Sequence, residues 1–358
     1  MMSQGSTAEE GRASALPALL WKAVKLVLTV LVTFLGLLLV TFLISHVISV
    51  DPVLAVVGDR ASKATYDKMF IEMGLDRPLW QQFFIYLQKV VTGDFGNSFL
   101  TKKPVISDIG RAFPATLELA TVAVLIGTLL GIPLGVVSAV KEGRLVDQVI
   151  RVLGLVGYSA PIFWLGLIGL LVFYAKLQWI SGPGRIDITY EYDITPATGL
   201  LLLDSAMQGK WAAFGNAFSH IILPASLLGY YSMAYISRMT RSFMLAELAQ
   251  EYIVTARVKG LAEWRIIWVH ALRNAAVPLV TVVALSYAGL LEGSVLTETV
   301  FAWPGLGMYL TNSLQVADMN AVLGGTLVIG AIFIGLNLLS DALYGLLDPR
   351  VRRRAGRP

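Results

Sequence analysis

Apolar residues in this chain gather in six blocks, each long enough to cross a bilayer, and the segments between them carry nearly all of the charge. From Leu26 to Val50, and again from Leu119 to Val140, no side chain is formally charged. A hydrocarbon core takes about 20 helical residues at 1.5 Å each. Further blocks run from Val152 to Ala175, from about Trp211 to Ser237, from Ala275 to about Leu291, and from about Met319 to Ser340. The pattern predicts an all-α polytopic membrane protein with six transmembrane helices and both termini on one side. The first block exceeds the apolar core of about 7–15 residues found in a cleaved signal peptide, and no small-x-small site closes it, so it is expected to stay as an anchor.

The segments outside the blocks divide the chain. Residues 1–15 are small and polar without apolar period, which predicts a disordered tail ahead of a first transmembrane helix at 16–50. Residues 51–113 form a region too long for an ordinary connection. Within it Leu79, Phe83, Phe84, Leu87, Val90 and Val91 recur at three- and four-residue spacing, which predicts a helix with a packed face, and hence a small cap. Residues 114–348 hold the other five spans. They include an internal loop at 238–273, a second external loop with Gly182-Pro183-Gly184, and a third with the rigid turn Trp303-Pro304-Gly305-Leu306-Gly307. Residues 349–358 form a basic tail whose five arginines could hold anionic lipid headgroups, though a plain stop-transfer anchor is the stronger reading.

Composition sharpens this picture mainly by exclusion. Apolar residues make up 56% and charged residues 15% of the chain, far from the roughly 25% charge of soluble domains. With no cysteine and three scattered histidines, disulfide scaffolds, iron–sulfur clusters and metal sites are not expected. The net charge of +4 gives no reason to expect nucleic acid; what matters is its sidedness. Seventeen of the 28 Lys and Arg residues fall on the side of the termini, the 141–151 turn and the 238–273 loop, which predicts that side to be cytoplasmic. No phosphate-cradling Gly-rich loop, His-Glu-x-x-His or Gly-x-Ser-x-Gly occurs, so the chain is not expected to be an enzyme.

The internal loop carries the strongest signal. Glu247 to Lys259 alternates apolar and polar residues at helical spacing, with Leu248, Tyr252 and Thr255/Ala256 on one face and Glu251, Arg257 and Lys259 elsewhere. Gly260 permits the left-handed geometry that ends a helix, and Leu261 begins the approach to the fifth span. This predicts a short helix held away from the bilayer between two spans, either lying on the membrane surface or docking into a groove on a partner.

Tyr252-Ile253-Val254-Thr255-Ala256-Arg257-Val258-Lys259-Gly260-Leu261, followed by His270-Ala271-Leu272-Arg273-Asn274-Ala275, resembles the EAA loop of ABC importer permeases of the dipeptide, oligopeptide and nickel branch. Gly74-Leu75-Asp76-Arg77-Pro78-Leu79, Pro114-Ala115-Thr116-Leu117-Glu118-Leu119, Glu298 through Gly307 and Leu347-Asp348-Pro349-Arg350 resemble further motifs of that branch, in the same order. The resemblance, to the first permease of a heteromeric pair, implies a type I ABC importer permease fold with an external cap region between spans one and two. It also implies a second homologous permease, two cytoplasmic ABC ATPases that hold the ATP and Mg, and an extracytoplasmic solute-binding protein. The ATPase-coupling residues it implies are Glu251, Tyr252, Thr255, Ala256, Arg257, Lys259, Gly260 and Leu261. Val254 stands where the broad consensus has its acid, so no glutamate acts there.

Within the spans, Glu292 near the outer end of the fifth, and Asn337 with Asp341 one turn later in the sixth, are candidate pathway or gate residues, since a charge in the membrane needs a partner or a cavity. For Asp341 a structural polar contact with Asn337 is the stronger reading. Gly127, Gly131 and Gly135 form a small-residue ridge expected to serve helix packing. The alternative from another class is an ion-coupled secondary transporter that uses those intramembrane carboxylates.

Overall fold

A computed structural model describes residues 6–47, 52–58 and 60–347. Sixteen helices follow in order: α1 Ser6–Val47, α2 Pro52–Val57, α3 Lys63–Glu72, α4 Leu79–Val91, α5 Val105–Val140, α6 Leu145–Ser159, α7 Ile162–Gly169 with a π-helical extension to Lys176, α8 Ile188–Glu191 and α9 Leu201–Met207. Then come α10 Trp211–Leu248, α11 Glu251–Val258, α12 Glu263–Arg265, a π-helical stretch Ile266–Ala271, α13 Leu272–Gly293, α14 Val295–Val300, α15 Leu306–Gln315 and α16 Met319–Leu347. Five stretches are long and apolar enough to cross a membrane, and a sixth crossing is the pair α6 and α7.

Several boundaries differ from the sequence expectation. Residues 6–15, expected as a disordered tail, continue α1; Ser6 and Thr7 precede Glu9 and Glu10, a helix-starting order. The third span is not one rod: α6 and α7 meet at 96°. Pro161 lacks the N–H that would continue the ladder and forces Ala160 into an extended conformation, φ −76° and ψ 134°. The second span begins at Val105 rather than near residue 119, so the cap loses its last turns to α5. The fifth crossing starts at Glu263, twelve residues ahead of the expected Ala275.

The centre of the bundle is the parallel pair α5 and α10, brought together by missing side chains. A Cβ on Gly127 would lie 2.6 Å from Ser232 Cβ, one on Gly131 3.0 Å from Ile236 Cβ, and one on Gly135 2.5 Å from Thr240 Cβ. The ridge therefore faces α10 of its own chain. Ala115, Leu119, Ala123, Ile221, Leu228 and Trp303 make the main apolar core around this seam. In the cap, α4 turns Phe83, Tyr86, Leu87 and Val90 toward Leu38 of α1 and Leu327 of α16. Leu79, Phe84 and Val91 were expected on the packed face, yet they are 58%, 60% and 77% exposed, because the buried strip is narrower than the apolar one.

Candidate functional site

The loop between the fourth and fifth crossings is organised around α11. Gln250, extended at φ −77° and ψ 150°, separates it from α10, and Glu251 stands in the first turn. The far end closes with a Schellman arrangement. Gly260 takes φ +77°, its N–H donates to the Arg257 carbonyl at 2.9 Å, and the Leu261 N–H donates to the Ala256 carbonyl at 3.2 Å.

An eight-residue helix has little stability of its own, so something must seat it. Ile253, fully buried, does so in a cluster with Val136, Met244, Ile266 and Ala275, joined by half-buried Ala256 and Leu261. The buried face centres on Ile253, and of the expected Leu248, Tyr252 and Thr255/Ala256 face, Leu248 and Ala256 pack half-buried on the same cluster while Tyr252 and Thr255 turn outward. Tyr252 instead donates its hydroxyl to Glu247 at 2.7 Å, and burial together with that carboxylate pushes the phenol pKa up. Arg257 donates to Glu263 at 2.8 Å across Gly260; both are about half exposed, so this pair orients the turn more than it stabilises it.

What remains outward is a mixed surface. Glu251, Thr255, Lys259 and Gly260 are exposed, with Val254 at 56% and Val258 at 83%. Trp264 and Trp268, on the approach to α13, are exposed as well.

A clamp missed by sequence reasoning lies beside this platform. Asp147, at the start of α6, is fully buried and accepts from Arg241 Nε at 2.8 Å and Nη2 at 2.9 Å, from Ser138 Oγ at 2.5 Å and from the Gly143 N–H at 3.0 Å. It ties the α5–α6 turn to the end of α10, one turn from Met244 under α11. A matching constellation occupies the opposite end of α5. Arg185 donates to Glu118 at 2.6 Å and to the Gly199 carbonyl at 2.8 Å, while Glu118 also accepts from the Leu202 N–H at 2.6 Å.

Beside it Glu298 is fully buried and accepts from Thr116 Oγ1 at 2.7 Å, Ser294 Oγ at 2.9 Å and the Met308 N–H at 3.1 Å. Burial pushes its carboxyl pKa up against the effect of those donors. A Cβ on Gly305 would strike its Oε2 at 2.5 Å, which explains that glycine in the Trp303–Gly307 turn. The signal for Glu118 was present in the sequence: it sits one residue before a charge-free block and was read as that block's edge.

Of the pathway candidates, Glu292 is exposed on α13 and borders an open cleft with Phe113, Thr116, Leu306, Ile329 and Phe333. Asn337 is half-buried on α16 and does not line that cleft. The Asp341 side chain, like residues 348–358, lies outside the described residues. Among the described residues no three His, Asp or Glu side chains come together as a metal site.

Comparison with known proteins bears on this geometry. The family model described as "Binding-protein-dependent transport system inner membrane component" matches residues 131–353, and its N-terminal companion matches residues 19–120. The dipeptide transport system permease protein of Escherichia coli K12 is 44% identical over 329 residues, covering 91% of this chain and 96% of the relative. The probable D,D-dipeptide transport system permease protein of the same organism is 43% identical over 321 residues, 90% and 94% of the two chains. The dipeptide permease of Haemophilus influenzae is 45% identical, covering 92% and 98%. Among solved structures, a chain of the inward facing MetNI methionine ABC transporter superposes with a TM-score of 0.50 at 17% identity, covering 68% of this chain and 97% of that one.

Proposed function

The chain belongs to the family of binding-protein-dependent transport system inner membrane components, and from that premise we infer how it works. It is a multi-pass inner-membrane permease subunit of an ABC importer, and the ion-coupled alternative is not favoured. Our reading adds the direction of force. ATP hydrolysis takes place on separate ATPases, whose closure moves α11 as a rigid body; a second permease completes the path, and a binding protein delivers cargo from outside. Both termini are cytoplasmic.

The observation that carries this reading is the two-sidedness of α11. Ile253 fixes the helix to the ends of α5, α10 and the fifth crossing, while Val254 and Val258 present an unpaired apolar surface on the inner side. A helix attached firmly on one face and open on the other transmits displacement, provided that docking differs in energy between the two states. Glu251, Tyr252, Thr255, Ala256, Arg257, Lys259, Gly260 and Leu261 are the coupling residues in this scheme. The buried Asp147–Arg241 clamp passes the motion from α10 to α6.

The cargo we infer is a dipeptide or similarly small peptide, in line with the names of the relatives. Glu292, on its cleft, is placed to meet a peptide ammonium group, and Asn337 and Asp341 serve the packing of α16. The test is crosslinking. The chain has no cysteine, so Val258→Cys gives a single thiol. In the assembled complex it is expected to form a disulfide with a cysteine placed in an ATPase cleft, and the same thiol crosslinking to no ATPase would end the coupling assignment.

A further inference from the structure

The face of α10 beside the α6–α7 break carries a group of side chains ill suited to lipid. Tyr231 and Tyr158 stack at 5.5 Å with planes 12° apart. The Arg238 guanidinium lies 5.6 Å from the Tyr158 ring and 5.8 Å from the Tyr235 ring. Tyr158 is 53% exposed and Arg238 is exposed as well. The arginines of the sites described above each have a carboxylate, Arg185 with Glu118, Arg241 with Asp147 and Arg257 with Glu263. Among the described residues Arg238 has none.

Depth decides what this group faces. On α10, His220 is held by the external loop through the Gly182 carbonyl at 2.9 Å and Asp187 at 3.2 Å, and Arg241 is held at the inner side by Asp147. The 21 residues between them span about 32 Å, close to one hydrocarbon thickness. Tyr231 then lies about 16 Å below His220, at the midplane. An arginine near the inner boundary of a lipid-facing helix would reach toward the headgroups. Arg238 instead leans back over Tyr235 and onto Tyr158, whose ring stacks at the midplane. The same level holds the interruption of the third crossing at Pro161, and broken helices in transporters are tolerated where they line a water-filled cavity.

We propose that Tyr158, Tyr231, Tyr235 and Arg238 form part of the wall of the translocation path, and that Arg238 binds the carboxylate of the cargo there. This rests on the importer reading above. The oxyanion takes two N–H donors from the planar guanidinium, whose outer faces stay on the tyrosine rings. An anionic lipid headgroup offers similar chemistry from the other side of the helix bundle, and the experiment separates the two.

The full complex, with cysteine-free partners, is reconstituted in proteoliposomes with Tyr235→Cys as a single thiol; Tyr158→Cys is the second variant, and Leu28→Cys, on the exposed face of α1, is the lipid-facing control. ATP-driven uptake is measured on each preparation. A charged methanethiosulfonate is expected to label Tyr235→Cys at least tenfold faster than Leu28→Cys in the nucleotide-free state. A free-acid dipeptide on the cytoplasmic side should slow that labelling at least threefold, while its C-terminal amide should not. Arg238→Gln should abolish the protection and Arg238→Lys retain part of it.

Labelling no faster than the control, or equal protection by acid and amide, overturns the proposal. So does protection that requires phosphatidylglycerol but not the dipeptide, which assigns the site to lipid. Uptake that proceeds normally alongside any of these results leaves the importer reading intact, whereas a wild-type complex without ATP-driven uptake removes that reading itself.

Discussion

Replacing Ile253 by Ala tests the seat of α11 directly. The side chain is fully buried among Val136, Met244, Ile266 and Ala275, and truncation to Ala removes three carbons, about 2.4 kcal/mol at 0.8 kcal/mol per methylene. The cavity left behind brings such changes into a range of about 2–5 kcal/mol. Since α11 has eight residues, its folding depends on this contact, so the loss falls on the seated state of the helix rather than being spread over the bundle.

At about 1.4 kcal/mol per factor of ten, the transfer figure of about 2.4 kcal/mol corresponds to a roughly fiftyfold shift toward the unseated helix. Amide hydrogen exchange in the assembled complex reads this as faster exchange from Ile253 to Leu261, with α5 and α10 unchanged. Binding-protein-stimulated ATP hydrolysis should continue while uptake per ATP falls. Val258→Ala, at a position 83% exposed, is the counterpart: it should leave exchange unchanged and weaken association with the ATPases. Unaltered exchange and uptake in Ile253→Ala would refute the view that one buried side chain fixes the helix.

Three other substitutions probe the frame behind the site. Asp147→Ala leaves the 21%-exposed Arg241 with only its 3.5 Å contact to Glu142 and strands the Ser138 hydroxyl and the Gly143 N–H, and should cost about 1–3 kcal/mol, seen as a lower unfolding temperature in detergent; the double change Asp147→Leu with Arg241→Met should recover much of it. Gly135→Ala forces a Cβ to within 2.6 Å of the Ser237 carbonyl and should cost about 1–3 kcal/mol, whereas Gly110→Ala, on the same helix with open space around it, should be silent in the same melting assay. Glu298→Ala strands the Thr116 and Ser294 hydroxyls and the Met308 N–H, and should loosen the α14–α15 turn, read as faster proteolysis there and a loss of about 1–3 kcal/mol or more.

The sequence made α11 and its cap legible because both rest on local chemistry: Gly260 alone reaches φ +77° without strain, and the apolar spacing of the loop is short-range. Its orientation was not legible. The chain breaks at Ala249 and Gln250, so the phase set by Leu248 does not carry into the next helix, and Ile253 rather than Tyr252 turns inward. Pro161 ends α6, but the 96° angle at which α7 departs is set by the surrounding structure and is not encoded in a linear pattern. The buried carboxylates were hidden for a related reason. Asp147 and Arg241 stand 94 positions apart, and Glu118 and Arg185 stand 67 apart, so each looks like an ordinary boundary charge until the helices are in place.

The most direct measurement of the central claim is uptake of a labelled dipeptide by proteoliposomes holding this permease, its paired permease, the ATPases and the binding protein, with and without internal ATP and with and without a protonophore. Uptake that requires ATP and the ATPases, persists with the protonophore and disappears when residues 251–258 are replaced by a flexible Gly/Ser segment is the predicted result. Uptake driven by an ion gradient without the ATPases, or undiminished after that replacement, would contradict it.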